Sequence, residues 1–398
     1  MTLWVLAAAL LAPIAVFTAQ CWAALLPALR GRDAASQAPA ARPPVAVLVP
    51  AHNEQALLGQ TLAALKPQLR AGDLVLVVAD NCTDDTAEIA RAGGARVLER
   101  RDASRRGKGY ALSAGLDALS NDAFEVLLVL DADCHIEPGA LDALAAQVAA
   151  TGRPAQAVYL MEQCERPTPR DHISTWAFMV KNLVRPIGLS RLGLPCQLTG
   201  TGMAFPRAAL AKVSLASGNI VEDMQLGLDL ALAGTAPRLC PDAHVTGRLP
   251  RDRAVALKQR QRWEHGHLRT LLVQAPRLAV LGLIRCRPAA VAMALDLLVP
   301  PLSLLLVLSM GTLAVAVAAI PFGAAWHPAA ALAIGMTVLL ATVLTAWAKF
   351  GRACLPARSL FAAAAYVAWK LPMYAMFLFR PEKKWVRTER TAPPATTP

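Results

Sequence analysis

Long stretches of this chain carry almost no charge, and that constrains its fold more than any other feature. Residues 1 to 29 hold no charged side chain; between Pro288 and Ala348 the only one is Asp296, and between Ser359 and Phe379 the only one is Lys370. A helix needs about 20 apolar residues to cross a bilayer core, so the chain reads as an integral membrane protein, and a wholly soluble enzyme is excluded. Composition agrees: 55% of residues are hydrophobic and 17% charged, against roughly 25% charged in an average soluble domain. A disordered chain needs the opposite balance.

The first stretch lacks the basic start and the small-residue cleavage site of a secretory signal, and Arg30 and Arg32 follow it. Under the positive-inside tendency, residues 1–30 form an anchor with the N-terminus outside and the following chain in the cytoplasm. Eight cysteines stand singly, with no C-x-x-C and no histidine pairing at zinc-like spacing. That fits reduced thiols in a cytoplasmic domain rather than structural zinc. The net charge of +12 suits anionic lipid headgroups or bound phosphates. Nucleic acid is set aside, because the arginines are not interleaved with aromatics as a stacking surface needs.

An Ala/Pro-rich linker spans 31–44, and a domain of strand–helix alternation follows over 45–270. Val45–Val49, Leu74–Ala79 and Val126–Leu130 read as fully buried strands, each ended by a polar cluster. Glu54–Lys66, Asp84–Arg91 and Lys108–Leu119 carry helix-like spacing between them. The alternation predicts an α/β fold with a mostly parallel sheet and helices on both faces, with ligands beyond the carboxyl ends of the strands.

Two further segments carry membrane-surface signals. In His172–Arg185, Ile173, Trp176, Val180, Leu183 and Val184 share one helical face, Lys181 and Arg185 flank it, and Pro186 ends the helix. An ordinary surface helix is the bland reading; the Trp and flanking bases favour an interfacial one. Six Lys and Arg residues then crowd Arg251–Arg269, ahead of a C-terminal membrane region at 271–380 with apolar segments at about 289–320, 328–348 and 359–379. Three crossings would put the basic tail (381–398) outside, against the positive-inside rule. Either the last segment lies in the interface or the tail breaks the rule; the reading leans to a cytoplasmic tail. Lys370 and Asp296 are costly in hydrocarbon and become functional candidates unless they lie near an interface.

Acidic clusters mark where chemistry is expected. Asp80 ends the second strand, Asp131-Ala-Asp133 ends another, and Glu222-Asp223 opens a helix pattern after Ile220-Val221. One Asp at a strand end is more often a turn or helix-cap residue, and Glu222 also suits a helix N-terminus. Two hard oxygen ligands as Asp-x-Asp, however, suit Mg²⁺ or Mn²⁺ bridging a diphosphate. Gly107-Lys108-Gly109 is not a phosphate loop, because no glycine stands five residues before the lysine. His244, His265 and His267 lack the paired spacing of metal ligands, and solvated or capping roles suit them better.

The order of these elements carries a resemblance. Pro50-Ala-His-Asn53-Glu54, the Asp80 cluster, Gly107-Lys108-Gly109, Asp131-Ala-Asp133, Gly200-Thr201-Gly202, Glu222-Asp223 and Gln259-x-x-Arg262-Trp263 resemble the family 2 glycosyltransferases. The likeness is greatest to the membrane-embedded branch of cellulose, chitin, hyaluronan and poly-N-acetylglucosamine synthases. It covers residues 45 to about 270. Trp385-Val-Arg387-Thr388 in the tail is loosely similar to a Trp-x-Thr-Arg element of some such synthases, in a different order.

The resemblance implies a GT-A domain between N- and C-terminal transmembrane helices, acting as an inverting, metal-dependent enzyme. Asp80 would hold the uracil side of a UDP-sugar, with Pro50, Asn53 and Glu54 lining the same pocket and Lys108 helping the nucleotide, unless it is a solvated helix-start lysine. Asp131 and Asp133 would hold Mg²⁺ or Mn²⁺ against the departing diphosphate. Asp223, beside Glu222, would be the general base. Gln259, Arg262 and Trp263 would close over the site, Trp263 stacking on the acceptor sugar, with Gly200 and Thr201 beside it. The expected acceptor is a growing polysaccharide or oligosaccharide at a bacterial inner membrane. A membrane lipid receiving one sugar is the alternative, and an inactive export-complex scaffold a more distant one. Expected partners are the UDP-sugar, the acceptor, the bilayer and export-complex subunits.

Overall fold

The computed structural model describes residues 1–27, 42–164, 166–217, 221–248 and 253–379. The tail at 381–398, with its Trp385 element, and most of the 31–44 linker lie outside the described residues, as do Arg30, Arg32, Ile220 and Arg251. The chain forms two compact units. One is built on a sheet and holds the described residues from Arg42 to Glu162 and then Pro195–Trp263. The other is helical and holds the N-terminal helix, Gln163–Leu194 and the chain from Glu264 onward.

In the sheet unit the aliphatic runs become β1 (Val45–Ala51), β2 (Leu74–Asp80), β3 (Arg96–Arg100) and β4 (Val126–Val129), parallel and side by side as β3-β2-β1-β4. The sheet continues through β7 (Met203–Pro206), β6 (Ala155–Glu162), β8 (Arg238–Arg248) and β5 (Cys134–Ile136), and β7 runs antiparallel to both β4 and β6. The sheet is therefore mixed. Along β1, Val45, Val47 and Val49 join the core on one face while Ala46 and Leu48 join the other. Side chains alternate across a strand, so a strand covered on both faces must be apolar throughout. Pro50 lies past Leu48, the last β1 residue paired with β4, where a missing N–H is tolerated.

Helices cover both faces. On one, α2 (Leu58–Leu65), α3 (Thr86–Ala92) and α5 (Ala140–Thr151) contribute Leu58, Leu62, Ala90, Leu141 and Leu144 to the core. On the other, α4 (Lys108–Ala118), α8 (Arg207–Leu210) and α9 (Glu222–Leu232) contribute Leu112, Leu210, Leu226 and Leu230. Gly115 lets α4 lie close on the sheet: a Cβ there would stand 2.4 Å from Leu48 Cδ1. The first turns of α10 (Arg253–Ile284) also belong to this unit.

The helical unit holds α1 (Thr2–Leu25), α6 (Pro169–Met179), α7 (Arg185–Arg191), the rest of α10, α11 (Pro288–Leu297), α12 (Leu302–Ala319), α13 (His327–Ala346), α14 (Ala357–Leu360) and α15 (Ala363–Phe379). Among the described residues, Thr2–Leu25, Leu302–Phe322 and His327–Gly351 are long and apolar enough to cross a membrane. The expected segment at 289–320 is broken, because Pro300 and Pro301 cannot continue a helix and separate α11 from α12. The segment at 359–379 likewise divides into α14 and a 17-residue α15. α1 and α13 run parallel. Leu11 lies against Gly335, Trp22 Nε1 donates to Thr342 Oγ1 at 3.0 Å, and Lys349 Nζ donates to the Leu25 carbonyl at 3.0 Å.

Two expectations for the interfacial segment are corrected here. Pro186 does not end the helix: a π turn over Val180–Val184 is followed by α7, and Pro186 falls in the first turn of α7, where its missing N–H is not needed. Arg185 does not flank the apolar face. It is buried, and its Nη2 donates to Asp296 Oδ1 at 2.6 Å. Of the expected face, Ile173, Trp176, Val180 and Val184 are buried in one cluster with Ile14, Phe17 and Leu339, while Leu183 is half-buried and outside that cluster. Lys370 is also paired, its Nζ donating to Glu264 Oε1. Asp296 and Lys370, the isolated charges of the apolar segments, thus each have a partner of opposite sign.

Candidate active site

The parallel register of β1, β2 and β4 brings their carboxyl ends to one edge, and three loops converge there. After β1 and β2, Asn53 and Asn81 both take φ of 54°, a left-handed conformation that asparagine tolerates. Asn53 joins the two loops: its Nδ2 donates to Thr83 Oγ1 at 3.0 Å and its Oδ1 accepts from the Thr83 N–H at 2.7 Å. The Glu54 N–H donates to Thr86 Oγ1 at 2.8 Å.

Asp80 is buried at the end of β2, and Arg100 at the end of β3 donates to its Oδ1 at 2.6 Å. The parallel pairing aligns Asp80 with Arg100, so register alone makes this contact. Arg100 also reaches Asp102 Oδ2 at 2.9 Å and the Arg105 carbonyl at 2.8 Å. The Asp102 carboxyl is held well below its usual range, chiefly by the Ser104 hydroxyl and the Arg105 N–H.

A second cluster centres on Lys108, at the start of α4. Its Nζ donates to Asp131 Oδ1 and, at 2.7 Å, to the Gly200 carbonyl. Burial alone would lower the lysine pKa, but the charges of Asp131, Glu222 and Asp223 outweigh it and raise it. Gly200 (φ 93°) carries no Cβ where one would lie 3.3 Å from Asp223 Oδ2 and 3.6 Å from Lys108 Nζ. The glycine thus lets the backbone approach a carboxylate and an ammonium together.

Thr201, next to Gly200, holds the Asp131 backbone. It is fully buried, and its Oγ1 accepts from the Asp131 N–H at 3.0 Å. Behind it, Gln156 Nε2 donates to the Thr201 carbonyl and its Oε1 accepts from the Thr199 N–H, both at 2.9 Å. Gln156 and Arg100 were missed in the sequence. A glutamine inside an otherwise apolar strand was the available signal for the first.

Ligand atoms of Asp131, Asp133 and Cys134 lie within 4.8 Å of one another. Cys134 offers a soft sulfur donor, which suits Mg²⁺ or Mn²⁺ less well than carboxylate oxygen does. The two carboxylates are the donor set that fits a hard dication. Two residues before Thr201, the buried Thr199 Oγ1 has no hydrogen-bond partner among the described residues, an arrangement that costs stability unless a further group satisfies it.

Glu222 and Asp223 open α9. Burial, and next the adjacent Asp223 charge, push Glu222 up to about 7 from 4.5. The folded state therefore binds a proton that the unfolded chain gives up near pH 4.5, and stability falls as pH rises from about 4.5 through about 7. Without divalent cation, the thermal midpoint in detergent is expected to drop over that window, and Glu222→Gln to flatten the drop. An equal drop in the variant would assign it to other groups.

Gln259, Arg262 and Trp263 lie three and four residues apart on α10 and so share a helical face; Gln259 is buried and the other two are half-buried. His265 is buried, its Nε2 within 3.0 Å of the Met373 carbonyl, so it serves packing rather than metal.

Two uncharacterised glycosyltransferases, from Mycobacterium bovis and Mycobacterium tuberculosis, are each 38% identical over 104 residues, 26% of this chain and 43% of theirs. An uncharacterised protein of Methanocaldococcus jannaschii is 35% identical over 92 residues, 23% of this chain and 36% of its own length. The matches therefore span less than half the length of these relatives. A mannosyltransferase of Pyrobaculum calidifontis, solved with GDP-Man and Mn²⁺, superposes with a TM-score of 0.56 at 22% identity, covering 96% of this chain and all of the other. The fold is that of the GT-A glycosyltransferases. The model of the family described as "Glycosyltransferase like family 2" matches residues 43–266, more than half of the chain, and the protein belongs to that family.

Proposed function

We propose that the protein moves a sugar from a nucleoside-diphosphate donor, a UDP-sugar in our reading, to an acceptor hydroxyl with inversion, and that it acts at a bacterial inner membrane. The observation that carries this is the cluster of Lys108, Asp131, Asp133, Gly200, Glu222 and Asp223 at the carboxyl edge of the sheet. Asp80 would receive the base, with Pro50, Asn53 and Glu54 lining its pocket. Asp131 and Asp133 would hold Mg²⁺ or Mn²⁺, which when bound supplies Lewis-acid neutralisation of the diphosphate.

Asp223 would take the acceptor proton as the acceptor oxygen bonds to the anomeric carbon and the bond to the diphosphate breaks. A single carboxylate base with no protein nucleophile gives one displacement and so inversion. Lys108 adds positive charge beside Asp131, and Gly200 leaves room for the acceptor. Gln259, Arg262 and Trp263 would close the site, Arg262 toward the diphosphate and Trp263 on the acceptor.

In the membrane reading, α1 crosses from outside to inside, and residues 45–270 lie in the cytoplasm apart from the interfacial helices. Because α13 runs parallel to α1 and α12 joins back to it, the C-terminal region makes two crossings rather than three. That leaves Lys349 and Arg352 at the same end as Arg191, which donates to the Ala23, Ala24 and Leu26 carbonyls. The positive-inside rule is then satisfied with α15 in the interface.

The Gln-x-x-Arg-Trp element supports a polymer product of the cellulose and chitin synthase kind. Three helices long enough to span among the described residues are few for a sugar-conducting channel, and that favours a second reading, one sugar added to a membrane lipid. Membranes containing the protein, given radiolabelled UDP- and GDP-sugars with Mn²⁺ or Mg²⁺, are expected to incorporate label from a UDP-sugar and to stop when EDTA is added. A ladder of chain lengths would establish the polymer and one lipid-soluble product the second reading. Absence of transfer from every donor would refute the enzymatic assignment of these residues.

A further inference from the structure

The helical unit contains a cavity of about 580 Å³ whose lining includes none of the residues assigned to the transfer reaction. Val16 and Ala19 of α1, Leu189 of α7, Leu192, Leu283 of α10 and Leu295 of α11 line it. The volume falls within the range of small-molecule sites, about 300–1,000 Å³. We propose that this cavity seats an acyl chain of an anionic phospholipid, whose phosphate rests on Arg287. The proposal rests on the reading of this unit as membrane-embedded.

Three observations specify that occupant. Inside, the one polar side chain of the lining that reaches the cavity from α1 is already satisfied. Gln20 Nε2 donates to Asp296 Oδ1 at 2.9 Å, and its Oε1 accepts from Arg185 Nε at 2.7 Å. The interior therefore offers an occupant apolar contact and little else. Leu283 of the lining is 68% exposed and its chain neighbour Ile284 73%, apolar surface that a lipid environment covers.

The rim itself is basic. α10 turns into α11 through Arg285-Cys286-Arg287, all exposed. The turn is tight: Cys286 takes φ of 52°, the Arg287 N–H donates to the Gly282 carbonyl at 2.7 Å, and a Cβ on Gly282 would stand 2.9 Å from Val291 Cγ2. Arg287 is the charged residue of the lining, and among the described residues neither it nor Arg285 has an ion pair. An apolar slot under unpaired arginines fits a molecule with a hydrocarbon tail and an anionic head. The bilayer supplies that molecule at high local concentration.

Cys286 lines the same cavity and is exposed, and Cys164 is exposed elsewhere, so the protein carries both a reporter and its control. The full chain would be held in neutral-detergent micelles doped with dioleoylphosphatidylglycerol or with dioleoylphosphatidylcholine. Maleimide labelling of each cysteine would be followed by peptide mass spectrometry. Phosphatidylglycerol is expected to slow labelling of Cys286 by about fivefold for each arginine engaged, relative to phosphatidylcholine, and to leave Cys164 unchanged. Arg287→Gln should remove most of that difference. Ala292→Trp, which fills the slot, should remove it with both arginines in place.

Equal labelling in the two lipids, or a difference that survives both substitutions, would overturn the lipid site. Alkaline carbonate extraction of native membranes separates this from failure of the membrane reading: a chain released by carbonate was never embedded, and the lipid site falls with it. A chain retained in the bilayer but blind to headgroup charge loses the lipid site alone.

Discussion

Replacing Asp223 by Asn is expected to reduce the rate of sugar transfer by about 10²–10⁴-fold, the range over which a positioned general base acts. The substitution keeps size and shape, so α9 should still begin at Glu222. What changes is the capacity to accept a proton. The geometry makes this residue the strongest candidate for that role. Its Oδ2 would stand 3.3 Å from a Cβ at Gly200, so the carboxylate faces a gap that only glycine leaves. Its Oδ1 accepts from the Met224 N–H at 2.8 Å, which fixes its orientation at the helix start. Donor binding should be little changed, because the base and diphosphate contacts are assigned to other residues. Initial rates with labelled donor, set beside calorimetric titration of the nucleoside diphosphate, separate the two effects. Transfer within a fewfold of the unsubstituted protein would remove Asp223 from the mechanism. Weakened donor binding with an unchanged maximal rate would instead make it part of the donor pocket.

Much of this site was legible because parallel strands are chemically conspicuous. A strand buried on both faces must be aliphatic throughout, and Val45–Val49, Leu74–Ala79 and Val126–Leu130 stand out against a polar edge. Polar residues at their carboxyl ends are then forced to the ligand-binding side, which is how Asp80, Asp131 and Asp133 were found. What escaped detection depends on register. Arg100 ends β3, whose residues Arg-Val-Leu-Glu-Arg alternate too weakly to announce a strand, and only its pairing with β2 places the guanidinium on Asp80. Gln156 lies 45 residues from Thr201 in sequence, and its role follows from the antiparallel seat of β7 against β6. Burial gives the Thr201 hydroxyl to the Asp131 backbone, a contact that the Gly-Thr-Gly motif does not announce. In the helical unit, the cost of a charge in hydrocarbon singled out Asp296 and Lys370. Their partners Arg185 and Glu264 lie 111 and 106 residues away, a distance that local pattern does not bridge. Helical periodicity marks Arg185 as a flanking base, because it reports a face but not what covers it.

That buried arginine gives the largest expected effect on stability. Asp296→Ala should lower the unfolding free energy of the protein in detergent by about 3–5 kcal/mol, the cost of leaving one member of a buried ion pair alone. Arg185 Nη2 donates to Asp296 Oδ1 at 2.6 Å and to the Asp296 carbonyl at 2.9 Å, and its Nε donates to Gln20 Oε1 at 2.7 Å. Gln20 closes the ring by donating to Asp296 Oδ1 at 2.9 Å. α1, α7 and α11 thus share one polar knot within an apolar core. The knot needs close backbones, and a Cβ on Gly188 would stand 1.8 Å from the Gln20 carbonyl oxygen. Alanine at 296 leaves a buried guanidinium with no counter-charge. The double variant Arg185→Met with Asp296→Leu should recover most of the loss, because apolar replacements of similar volume remove the desolvation cost together with the attraction. Thermal or chemical unfolding of the three proteins tests the argument. A single variant as stable as the parent would mean that the pair is hydrated, and a double variant as unstable as the single would mean that Gln20, not charge balance, holds the three helices in register.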